Sequence, residues 1–202
     1  MKKLRTYEII LVLLVIIAIV LTTLVIKKHI NGQKVEEKTQ SILESITMQE
    51  TDNEEFDIIQ EIDAEIDGYS VVGIIKIPKI EIEYPILEKT NKESLKLSIT
   101  KFWGDKINQK GNVVLAGHNN FNKKFFGRLN KLEIGDIIEL TDKQRVTVKY
   151  SVFKIYKVDP NDITCIMPVD ENSREVTLIT CTNGKKERLI VKAREIVETN
   201  NL

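Results

Sequence analysis

From Ile9 to Ile26 the chain runs for 18 residues without a charge, nearly all of them Leu, Ile and Val. As a helix at about 1.5 Å per residue this stretch spans roughly 27 Å, close to the hydrocarbon thickness of a bilayer. The competing reading is a cleaved signal peptide. The run exceeds the usual apolar region of about 7 to 15 residues, and no small-x-small cleavage site follows it. We therefore expect a retained anchor over residues 9–26 and a short tail over 1–8. Lys2, Lys3 and Arg5 precede the span and Lys27 and Lys28 follow it, a small positive excess that places the N-terminus in the cytoplasm and the rest of the chain outside.

The 202 residues carry 30 basic and 30 acidic side chains, which argues against a strongly basic nucleic-acid binder. The balance is uneven along the chain. Up to Asp67 there are 7 basic and 13 acidic residues, net −6, and after it 23 and 17, net +6. Glu50 to Asp67 alone holds nine acidic residues and no basic one, with Phe56, Ile58, Ile59, Ile62 and Ile66 at near-helical spacing. That pattern reads as a solvated stalk, or as an appendage that folds onto the positive domain. Val35, Ile42, Leu43 and Ile46 suggest a short amphipathic helix. Residues 27–67 are thus expected to form an acidic extracellular linker. Residues 68–202 are expected to form one domain, long enough to bury a core of its own.

Beyond Gly68 the texture is β-rich. Residues 71–77, 80–86, 112–116, 136–140, 146–158, 175–181 and 188–197 predict strands by β-branched content and alternation. Helix is sparse, confined to 92–98 and a turn or two within 122–132. The expected class is all-β with minor helix, a barrel or sandwich. Pro78 lacks a ladder donor and belongs at a strand end or edge.

Three residues could do chemistry. His118 follows Gly111-Asn112-Val113-Val114-Leu115-Ala116-Gly117, so its imidazole should emerge at a strand terminus. Cys181 ends Val176-Thr177-Leu178-Ile179-Thr180, and alternation puts it on one face with Thr177 and Ile179. Asn183-Gly184 then reads as a turn that returns Arg188 opposite or diagonal to Cys181, depending on register. A buried inert Cys, an exposed His and a solvated Arg are the ordinary readings of each alone. Together they supply a nucleophile, an acid/base and a fixed cation able to stabilise an oxyanion. Two Cys and two His are too few for a common structural zinc site. No metal or cofactor is expected.

This constellation resembles the sortases, membrane-anchored cysteine transpeptidases of Gram-positive surfaces, over roughly residues 71–197. The most specific pieces are Thr177-Leu178-Ile179-Thr180-Cys181 with Arg188 seven residues on, and His118 upstream. Gly73-Ile74-Ile75-Lys76-Ile77-Pro78 resembles the family's first strand and turn. The resemblance implies an eight-stranded closed β-barrel and cleavage of a Leu-Pro-x-Thr-Gly-like sorting signal after its Thr. A thioacyl-enzyme would then be resolved by a peptidoglycan precursor or another amine. It makes Cys181 the nucleophile, His118 the general acid/base and Arg188 the oxyanion or orienting group. Thr180 would hydrogen-bond the substrate, and Ile163, Ile166, Met167 and Pro168 would wall the peptide groove. The implied partners are surface proteins that carry a C-terminal sorting signal.

The compact length is similar to class D or small class A members. No Asp-Pro-aromatic lid precedes Gly68, which lowers a pilus-assembling role, although Glu55-Phe56-Asp57 could serve as a plug. Other thiol enzymes fit less well. An L,D-transpeptidase would place its nucleophile in Ser-x-Gly-Cys, and a papain-like peptidase would place Cys before His. A non-enzymatic peptide-binding β-domain with an inert Cys181 is the alternative of a different class. Cys165 also follows a Thr but has no Arg at hairpin distance, and reads as structural or groove-lining.

Overall fold

A computed structural model describes residues 2–51, 61–120, 123–168 and 170–197. The chain forms two compact units, residues 1–40 and 41–202. Helix α1 runs from Lys2 to Thr51, where the sequence predicted an anchor and a separate short helix. No proline falls in it, and its one glycine, Gly32, costs a helix interior only about 1 kcal/mol. Nothing local therefore breaks it. Its portion from Tyr7 to Lys27 is 21 residues long with mean hydropathy 3.5, long and apolar enough to cross a membrane.

Among its described residues the second unit holds nine strands: β1 (Glu65–Ile66), β2 (Tyr69–Ile77), β3 (Ile82–Leu87), β4 (Ile99–Trp103), β5 (Gly111–Ala116), β6 (Ile137–Asp142), β7 (Thr147–Val158), β8 (Arg174–Thr182) and β9 (Glu187–Glu195). Their order is β1-β2-β3-β4-β5-β8-β9-β7-β6, and β6 pairs back onto β2. β2 through β9 thus close an eight-stranded barrel, which removes exposed sheet edges, and β1 extends one end of β2. Alternation decides what fills it. Val176 and Leu178 of β8 and Leu189, Val191 and Ala193 of β9 join Leu115, Leu140 and Tyr150 in the core. The buried Tyr150 hydroxyl donates to Asn108 Oδ1 at 2.9 Å. Asn108 Nδ2 in turn donates to the carbonyls of Leu140 and Val146, so this buried polar pair is satisfied.

Strand β4 escaped the sequence reading for a physical reason. Its burial runs from buried Ile99 and Thr100 to exposed Phe102 and Trp103, without alternation. The expected helices shrink to α2 (Ser94–Leu97) and a 3-10 turn at Leu129–Lys131. Pro78 opens a 3-10 turn between β2 and β3, where its missing N–H costs nothing.

Asp67 and Gly68 both have positive φ, 50° and 80°, and Ile66 pairs with Tyr69. This is the two-residue Asp-Gly hairpin, whose twist suits its flanking strands. The last part of the acidic stretch is therefore packed rather than solvated. Ile62 and Ile66 are 2% and 1% exposed and cluster with Leu43, Val71, Ile74 and Leu87. The Ile62 N–H donates to the Lys143 carbonyl at 2.8 Å, and Glu61 pairs with Lys143 at 3.6 Å. Residues 52–60, with Phe56, Ile58, Ile59 and the Glu55-Phe56-Asp57 plug, lie outside the described residues, as does Asn122.

Candidate active site

β5 and β8 are parallel and paired in register from Gly111↔Arg174 to Ala116↔Ile179. Parallel neighbours end at the same rim, so the next two residues of each, Gly117-His118 and Thr180-Cys181, arrive there together. Side-chain and backbone bonds carry the alignment past the last pair. The Gly117 N–H donates to the Ile179 carbonyl at 3.2 Å, Thr180 Oγ1 donates to the Gly117 carbonyl at 2.7 Å, and Asn119 Nδ2 donates to the Cys181 carbonyl at 2.8 Å. His118 thus sits between two residues tied to the strand that carries Cys181. Gly117 is required by a close approach, because a Cβ there would lie 2.7 Å from Phe126 Cδ2. The buried Phe126 packs under the rim, and its N–H donates to the His118 carbonyl at 3.1 Å.

β8 and β9 are antiparallel, and Cys181 lies directly opposite Arg188. This resolves the register that the sequence left open. Directly opposed side chains leave their Cβ atoms about 4.5–5.5 Å apart. Arg188 Nη1 donates to the Lys185 carbonyl at 3.5 Å, which orients the guanidinium across the turn. His118, Cys181 and Arg188 all line one cavity of about 330 Å³. Both cysteines are free thiols, Cys181 half-buried and Cys165 buried.

Burial, reinforced by the Lys185 ammonium, holds the His118 pKa below its ordinary value. Neutral imidazole is therefore favoured near neutral pH. Burial and the Asp162 carboxylate push the Cys165 thiol up, which keeps it in the protonated, less nucleophilic form.

Of the expected groove wall, Ile163 and Ile166 line the cavity. Met167 and Pro168 do not. The 3-10 turn at Thr164–Ile166 swings the chain so that Met167 offers its carbonyl to the barrel, as acceptor from Lys192 Nζ at 2.6 Å, while its side chain is exposed. Thr180 borders the cavity, but its hydroxyl hydrogen is committed to Gly117, so only acceptor lone pairs remain for a ligand. The sequence reading missed Leu95, Phe102, Ala116 and Ile190, which complete the apolar lining with Ile179. Alternation could have found one of these, since Ile190 shares a face with Arg188, whereas Ala116 is placed by its pairing with Ile179. Nothing local flags Leu95 or Phe102. Among the described residues, no group of three or more His, Cys, Asp or Glu side chains could hold a metal ion.

A free thiol, an imidazole and a guanidinium that meet at the rim of a closed eight-stranded barrel define a class, the barrel-borne cysteine enzymes. The Sortase domain family model matches residues 75–196, and the chain belongs to the sortase family of cysteine transpeptidases. It is 27% identical to sortase A of Bacillus anthracis over 98% of each chain. Among solved structures it resembles the lid mutant of sortase A from Corynebacterium diphtheriae, with a TM-score of 0.60 and 31% identity over 68% of this chain and 75% of that one. It also resembles Clostridium perfringens sortase C with the C-terminal cell wall sorting motif, with a TM-score of 0.57 and 29% identity over 63% and 71%.

Proposed function

We propose that this sortase cleaves a Leu-Pro-x-Thr-Gly-like sorting signal between Thr and Gly and transfers the new carboxyl end to a peptidoglycan precursor or another amine. The observation that carries the proposal is the in-register parallel pairing of β5 with β8, which brings His118 to the same rim as Cys181. Cys181 Sγ attacks the Thr carbonyl, and Arg188 stabilises the oxyanion that forms. His118, neutral at the start, takes the Cys181 thiol proton as Sγ attacks and donates it to the Gly nitrogen, which leaves as an amine. The thioester remains on Cys181 until an amine attacks the same carbonyl and returns the thiol. The apolar lining from Ile163, Ile166, Ile179 and Ile190 suits the Leu and Pro of such a peptide. The structure of Clostridium perfringens sortase C with the C-terminal cell wall sorting motif supports the same substrate class.

The apolar helix supports membrane anchoring, and a sorting-signal substrate would favour a domain outside the cell with residues 1–8 in the cytoplasm. Residues 27–67 would then link anchor to barrel, with surface proteins as donors. The test is to incubate the protein with Leu-Pro-x-Thr-Gly-like peptides and assorted amines and to identify products by mass spectrometry. A Thr-amine conjugate is expected, and its absence with every peptide and amine would defeat the proposal.

A further inference from the structure

The face of the barrel that carries Cys181 does not stop at the apolar cavity. Alternation continues it from Ile179 to Thr177 and Glu175 on β8 and from Ile190 to Lys192 and Arg194 on β9, with Asn112 and Val114 beside them on β5. These outward positions ought to be wet, yet Asn112, Glu175, Thr177 and Lys192 are all at most 9% exposed. What covers them is the connection between β7 and β8, the same segment that supplies Ile163 and Ile166 to the cavity.

The contacts beneath that segment follow a pattern. The 3-10 turn satisfies its own N–H groups, Ile166 to the Ile163 carbonyl and Met167 to the Thr164 carbonyl, which leaves the carbonyls of residues 165–167 to find other donors. Asn112 Nδ2 donates to the Ile166 carbonyl at 2.7 Å and reaches the Cys165 carbonyl at 3.5 Å. Lys192 Nζ donates to the Met167 carbonyl at 2.6 Å. Behind these two donors, Thr177 Oγ1 fixes Asn112 through its Oδ1 at 2.9 Å. Glu175 sits 4.0 Å from Lys192 Nζ, with side-chain exposures of 0% and 4%. Glu175 also accepts from Arg194 at 2.7 Å and from the Asp170 N–H at 3.1 Å, so it grips the far end of the same loop. Burial depresses the Lys192 pKa while Glu175 opposes the shift. A buried pair of this kind seldom stabilises a fold more than apolar side chains of the same volume would. Its contacts instead converge on one loop.

We propose that Asn112, Lys192 and Glu175 are positioning residues that hold the Ile163–Ile166 wall in its substrate-ready form, so that peptide binding depends on them and bond cleavage does not. The binding part rests on the sorting-signal reading above. A wall fixed in advance removes the ordering cost that a mobile loop would impose on each binding event.

Two variants of the full chain test this, Lys192→Met and Asn112→Asp. The second keeps an oxygen for Thr177 and replaces the donor that faces the Ile166 and Cys165 carbonyls by an acceptor that repels them, so it decides the matter if Lys192→Met fails to fold. For sorting-peptide cleavage, KM should rise about tenfold while kcat stays within about twofold, the signature of lost ground-state binding. Cys165 is 3% exposed, and in a Cys181→Ala background it is the one cysteine left of the two. Its alkylation should accelerate at least about tenfold in a variant that still shows a cooperative thermal transition, because the loop now opens locally. Unchanged Cys165 protection in a folded variant overturns the proposal, and so does faster labelling with KM unchanged or a fall in kcat alone. If the unaltered protein cleaves no sorting peptide, the functional reading fails, and Cys165 labelling still decides whether the cluster holds the wall.

Discussion

Cys181, His118 and Arg188 reach one cavity from three different strand ends, and each can be removed without disturbing the core. Cys181→Ala should abolish thioester formation, read by mass spectrometry of enzyme mixed with peptide; a trapped acyl adduct in that variant would exclude Cys181 as nucleophile. Arg188→Lys keeps the charge but loses the planar fork, so peptide turnover should fall by about 10- to 1,000-fold, as when an oxyanion donor is removed. Wild-type turnover would reduce Arg188 to a solvated charge. His118 offers a test of sign. Lys185 helps to hold its pKa down, so Lys185→Met should raise that pKa toward the ordinary His value and move the corresponding limb of the kcat/KM profile to higher pH. A fragment starting at Glu61 retains one of the two histidines, so its imidazole resonances report the shift directly. No movement, or movement to lower pH, would contradict the assignment.

Among the elements, β6 and β7 depend on Asn108, which lies between β4 and β5 and bonds the Leu140 and Val146 carbonyls and the Tyr150 hydroxyl. Asn108→Ala leaves that buried hydroxyl without its acceptor and should cost about 1–3 kcal/mol, read as a lower urea midpoint. An unchanged midpoint would mean that water replaces the asparagine. The same bookkeeping applies to β1. A fragment that begins at Gly68 loses Ile62 and Ile66 and uncovers Val71, Ile74 and Leu87. It should be about 2–5 kcal/mol less stable than one that begins at Glu61. Equal stabilities would make residues 61–67 a mere tether.

For the whole molecule, an N-terminal apolar helix followed by a sortase barrel, taken with the proposed sorting-signal substrate, predicts a direction across the membrane. Protease added to intact protoplasts should remove the barrel. Protection until lysis would reverse the topology. The acidic stretch and the net-positive remainder attract each other only weakly at exposed surfaces, about 0–1 kcal/mol per pair and screened by salt. The described part of that stretch is held instead by the burial of Ile62 and Ile66, whose side chains do not border the cavity. Removal of residues 61–67 should therefore act through stability rather than through access to the peptide groove.

The local pattern of residues was enough to show the apolar span, the β-rich domain, the face of β8 that carries Cys181 and the return of Arg188 on the next strand. Each of these is written in a short window, as hydropathy, as period-2 alternation or as a Gly-containing turn. Neighbours distant in sequence are written nowhere locally. The parallel pairing that sets His118 beside the Cys181 strand joins residues more than 60 positions apart. β4 carries no alternation to announce itself, and the wall at Ile163 and Ile166 owes its place to Asn112 and Lys192 beneath it. Such pairings are chosen by the closure of the barrel as a whole, because only the full ring gives each of β2 to β9 a neighbour on both sides. The residues alone could say which side chain faces which way, and the tertiary structure decided which of them would meet.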